Sequence, residues 1–153
     1  MTINIDKLKN GIRVVTEEIP SIESVSVGIW INAGSRNEKK IENGIAHFLE
    51  HMAFKGTEKR SALQIAEEIE SVGGFINAYT SREITCYYAK VLKNHLPLAV
   101  DILSDIISNS TFHEQEIEIE KGVIIQEIGQ MKDTPDDITV SYTHLTLPTR
   151  YRV

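Results

Sequence analysis

Three features of this chain predict a two-layer α+β domain, with a mixed, largely antiparallel sheet carrying helices on one face. Segments that alternate apolar and polar residues cluster early and centrally. Segments with helical periodicity lie between and after them. The turn signal Asn10-Gly11 joins the first two strand-like segments, and such a tight turn returns a strand antiparallel. Layering follows because each kind of element has one apolar face to bury.

Thr2 to Leu8 alternates as a strand, and Ile12 to Glu17 pairs back on it across the turn. Ser24 to Ala33 is a third strand, with Val25, Val27, Ile29 and Ile31 on one face. Gly34 to Asn43 is polar and charged and reads as a loop. Helices are predicted over Gly44 to Phe54 and Ala62 to Val72, the second stopped by Gly73-Gly74. Phe75 to Thr80 and Glu83 to Leu92 read as a strand pair in which Tyr87 and Tyr88 pack. Two further helices are predicted over 94–108 and 114–132, the last offering Val123, Ile124 and Ile128 to a core.

Composition narrows the function classes. Hydrophobic residues make up 41% and charged residues 25%, near the globular average. No apolar run approaches the length of a membrane-spanning helix. The amino terminus has no signal-peptide h-region and no Arg-rich transit segment, so a cytoplasmic protein is expected. A single cysteine, Cys86, excludes an intrachain disulfide and suits a buried strand position. The net charge of −6 argues against a nucleic-acid partner.

The chemistry concentrates in residues 47 to 51, His-Phe-Leu-Glu-His. On a helix, His47 and His51 lie about 40° apart around the axis, so both imidazoles face one divalent ion. Glu50 sits about 60° from His47 on the same wheel, where a carboxylate can serve as general base to a hydrolytic water. H-x-x-E-H is the inverse of the commoner zinc-protease motif. A catalytic zinc needs a third protein ligand. Glu120 and Glu127 share a face of the last helix, two turns apart. Glu127 follows the apolar run Val-Ile-Ile, which predicts burial and a need for a positive partner. Spacing alone does not choose between the two acids.

These residues sit in a wider pattern: Leu-Lys-Asn-Gly-Ile-Arg-Val-Val, His-Phe-Leu-Glu-His-Met-Ala-Phe-Lys-Gly-Thr, Gly-Gly-Phe-Ile-Asn-Ala-Tyr-Thr and Lys-Gly-Val-Ile-Ile-Gln-Glu-Ile. From about Ile3 to Ile138 the chain resembles the amino-terminal part of pitrilysin/insulinase-family zinc metallopeptidases, especially bacterial relatives of the mitochondrial processing peptidase β subunit. The resemblance implies a processing-peptidase-like metallohydrolase domain, here truncated. It implies one Zn2+ held by His47, His51 and Glu127, since the family's third ligand falls 76 positions beyond the second histidine. It also implies Glu50 as general base and Glu120 as a supporting acid that does not bind the metal. Asn77, Ala78 and Thr80 match an edge strand to which the peptide substrate adds, held by main-chain hydrogen bonds. The implied partners are a peptide or unfolded segment, the carboxy-terminal half of a longer enzyme, and a second copy in a homodimer.

Residues 1–138 are therefore expected to form an incomplete catalytic domain. After Thr-Pro-Asp-Asp-Ile the sequence leaves the family pattern, and Val140 to Thr149 resembles a translated transposase-end sequencing adapter. Residues 139–153 are expected to be a non-native tail, which removes His144 from the ligand candidates. Without its remainder the domain is expected to bind zinc but cleave peptides poorly, and to leave some faces uncovered. Two other readings fit less well. A non-catalytic subunit of this fold has no need of all four of His47, Glu50, His51 and Glu127. A zinc-dependent lyase of related fold requires Cys86 at the metal.

Overall fold

The computed structural model describes residues 3–133, with side chains to residue 130. The predicted 139–153 tail lies outside these residues. The first hairpin pairs β1 (Ile3–Lys7) with β2 (Arg13–Glu17). Its turn closes through the Gly11 N–H to the Leu8 carbonyl at 2.9 Å, with Gly11 at φ +93°. That left-handed conformation is why glycine follows Asn10 there.

A separate three-stranded antiparallel sheet holds the centre, in the order β3 (Ser24–Ile31), β5 (Thr85–Leu92), β4 (Phe75–Thr80). The hairpin does not join this sheet, and Ile3, Ile5 and Val15 remain exposed on it. The alternation in β3 is realised as read: Val25, Val27, Ile29 and Ile31 pair with Val91, Ala89, Tyr87 and Thr85 on one face. Ile76, Ala78 and Thr80 of β4 share it.

Helices cover that face. They are α1 (Ile45–Ala53), α2 (Ala62–Glu70) and α3 (Leu96–Ser108), while α4 (Glu114–Asp133) lies against α1. Ala53, Ile65, Ile69, Ala99, Ile102, Leu103 and Ile106 from the first three pack on Ala78, Tyr87, Ala89 and Val91. The opposite face carries Trp30, Phe75 and Tyr79 exposed and Tyr88 half-covered, with rings of Phe75 and Tyr79 about Tyr88. Helices on a single face match the predicted two-layer arrangement. No helix among the described residues is long and apolar enough to cross a membrane.

The stretch between β3 and α1 is more ordered than a loop. Two short 3-10 turns, Ser35–Asn37 and Lys40–Glu42, interrupt it. The Arg36 N–H donates to the Arg82 carbonyl at 2.8 Å, tying this stretch to the β4–β5 turn. After α1, Thr57, Arg60 and Asp105 form a buried cluster. The Thr57 hydroxyl and an Arg60 N–H both donate to Asp105 Oδ2, at 2.7 and 3.0 Å. Burial alone would raise the Asp105 carboxyl, but the hydrogen bonds from Thr57, Asn109 and Arg60 outweigh it and hold it below the usual range. The segment after α1 is thereby fastened to α3.

Candidate metal centre

The chemistry gathers between α1 and α4. Glu38 prepares α1 from outside the helix: its two carboxylate oxygens accept the N–H groups of Gly44 and Ala46 at 2.7 and 2.8 Å. Those are amides that the first turn leaves unpaired, and an anion there also complements the helix dipole. Thr80 of β4 donates from Oγ1 to the Ala46 carbonyl at 3.4 Å. Met52 and Ala53 are buried at the other end of the helix.

On this anchored helix, His47 and His51 bring their Nε2 atoms to 3.2 Å. Glu127 Oε2 of α4 lies 3.7 Å from the first and 3.6 Å from the second. A tetrahedral ion held at about 2.0–2.1 Å by each donor spaces them about 3.4 Å apart. The three atoms therefore fit a zinc-sized ion, and two imidazoles with one carboxylate are donors that zinc accepts. Tautomer supports the same use. Glu120 Oε2 lies 3.0 Å from His51 Nδ1, so that nitrogen carries the proton and donates, leaving Nε2 with its lone pair.

Burial differs from the sequence expectation. Glu127 is half-exposed, its side chain at 42%, while Glu120 is the buried acid at 4%. The Val-Ile-Ile run before Glu127 spans several sides of α4, and only Val123 and Ile124 are partly covered; Ile125 and Ile128 are exposed. Glu120 touches Lys55 as well as His51. Its burial pushes its carboxyl up, but the hydrogen bonds from Lys55 and His51, with their charges, hold it below the ordinary value. That Glu120 faces His51 rather than Glu127 could not be read from spacing.

Glu50 is half-buried on α1. Its charge is felt at Tyr87, whose phenol is pushed up to about 12, mainly by burial and then by Glu50. β4 is an edge strand beside α1. Asn77 is exposed, and its Oδ1 accepts the Ala78 N–H at 2.9 Å; Ala78 itself points into the core. The Thr80 hydroxyl is directed at α1. Cys86 is buried on the opposite sheet face, paired in register between Trp30 and Tyr79, and is not among the metal-competent residues. This placement removes the cysteine ligand that the lyase reading requires.

Residues 13–150 match the family described as insulinase (peptidase family M16). The chain belongs to that family. Among its relatives, it is 52% identical over 130 residues to the uncharacterized zinc protease YmxG of Bacillus subtilis, covering 85% of this chain and 32% of that protein. It is 53% identical over 139 residues to the mitochondrial-processing peptidase subunit beta of Rattus norvegicus, covering 91% and 28%. A solved protease from Helicobacter pylori superposes with a TM-score of 0.79 at 31% identity, over 82% of this chain and 30% of that one. The chain thus spans about 30% of the length of these relatives.

Proposed function

We propose that this chain carries the zinc site of an M16 endopeptidase acting on peptides or unfolded segments. The observation that carries the reading is the convergence of His47 Nε2, His51 Nε2 and Glu127 Oε2 from two helices into one triangle with 3.2–3.7 Å edges. His47, His51 and Glu127 would hold the ion. When bound, zinc supplies Lewis acidity that polarises a scissile carbonyl and makes water easier to deprotonate. Glu50, one residue before His51, accepts that proton and returns it to the leaving amine. The exposed edge of β4 receives the peptide as an added strand, with Asn77 turning away from the Ala78 N–H to free it for substrate.

The matched relatives are about three times as long, and on this reading a carboxy-terminal part raises turnover. The test pairs zinc binding with hydrolysis. The chain should take up one zinc, His51→Ala should lose it, and Glu50→Gln should keep it. Hydrolysis of an unfolded peptide should rise when the carboxy-terminal part of the Bacillus subtilis relative is added, and Glu50→Gln should abolish it. Robust hydrolysis that survives Glu50→Gln would sink the mechanism, and failure to bind stoichiometric zinc would sink the site.

A further inference from the structure

Lys55 stands one turn beyond His51, outside the ligand triangle, and its Nζ lies 2.5 Å from Glu120 Oε1. The other oxygen of the same carboxylate faces His51 Nδ1 at 3.0 Å. One buried acid is thus shared between an ammonium and an imidazole. A carboxylate removed from water requires a positive partner. His51 cannot fill that role while it binds metal, because a metal-bound imidazole is neutral. Lys55 is the remaining cation in contact with Glu120 among the described residues.

The backbone that presents Lys55 is firmly placed. Its N–H donates to the Met52 carbonyl at 3.1 Å. Gly56 and Thr57 follow, bridged to Ser61 and Ser110, and Thr57 is fastened to Asp105. The ammonium therefore reaches Glu120 from the part of the molecule bonded to the core.

Resting on the zinc reading above, we propose that Lys55 is a positioning residue for the metal centre. It pins Glu120, and pinned Glu120 holds His51 as the Nδ1–H tautomer with Nε2 turned towards His47 and Glu127. Without the ammonium, Glu120 keeps one neutral donor and is free to swing towards solvent. His51 then loses the fixed acceptor that selects both its tautomer and its ring orientation.

The experiment uses the full chain with Lys55→Met, which keeps the apolar stem, and Lys55→Arg, which keeps the charge. Zinc affinity is measured by competition with a chromophoric chelator. The His51 tautomer is read from ring nitrogen shifts of the zinc-free, histidine-labelled protein. Lys55→Met should weaken zinc about 10–100-fold while retaining one site, and should mix the two His51 tautomers. Lys55→Arg should stay near wild type in both readouts. Unchanged affinity and tautomer in Lys55→Met would overturn the proposal, as would equal losses in Met and Arg variants. Should Lys55→Met not fold, the comparison moves to a Glu120→Gln background, where no carboxylate charge remains to be pinned. There, adding Lys55→Met should cost no further affinity, and a further tenfold loss would overturn the proposal. Absence of stoichiometric zinc in the wild-type chain would instead refute the reading on which this rests.

Discussion

The two helices that build the metal centre are held in different ways. α1 is capped by Glu38, bonded to β4 through Thr80, and ends in Met52 and Ala53 inside the core. α4 shows Ile119, Ile125 and Ile128 to solvent, and meets α1 through the polar contacts of Glu120 and Glu127. Folding of the core thus places two histidines, while the acids come from a helix none of whose described apolar side chains is fully buried. A metal ion binding both helices would add a further tie between α4 and α1, since whatever binds only the folded form stabilises it.

The sharpest break of this contrast is a pair of truncations. Met52 is 1% exposed, and Met52→Ala should cost about 3–4 kcal/mol in urea unfolding. Ile125, at 68% exposed, should cost no more than about 0.5 kcal/mol when cut to alanine. Equal costs would mean that α4 is packed as firmly as α1. Next in size, Asp105→Asn should lose about 2 kcal/mol at neutral pH by weakening the Thr57–Arg60–Asp105 cluster behind α1. Because Asp105 titrates lower folded than unfolded, its contribution is full above about pH 4 and fades as pH falls through the folded value. Unfolding of the zinc-free chain across that range should show a shallower acid loss in Asp105→Asn than in wild type. Smaller again, Glu38→Gln should lower stability by about 1 kcal/mol through the amides of Gly44 and Ala46. Its amide hydrogen exchange should quicken at the start of α1 and not in α4.

The same contrast separates what was legible in the sequence from what was not. β4 runs from Phe75 to Thr80 as read, and the β3 alternation chose the covered face correctly, because strand period and local turn chemistry are short-range signals. The helix spacing of His47 and His51 likewise predicts that their rings meet, and they do. Not legible were the long-range contact of Arg60 with Asp105, the side-chain cap that Glu38 makes on α1, and the separation of the hairpin from the main sheet. Glu127 is half-exposed where the apolar run predicts burial, because three consecutive apolar residues cannot share one side of a helix. Which side meets α1 is set by docking, and docking turned Glu120 inward instead.

Trp30 offers a practical consequence. The chain has one tryptophan, and its indole projects at 63% exposure from the sheet face that carries none of the described helices, lying over Gly28, where a β-carbon would come within 2.8 Å of the ring. Its fluorescence therefore emits from a solvent-bathed indole on the side of the sheet away from the histidines. Zinc loading should leave the emission maximum in place, whereas any polypeptide that settles on that bare face should shift it to the blue. One intrinsic probe thus reports cover on the sheet independently of occupancy at the metal.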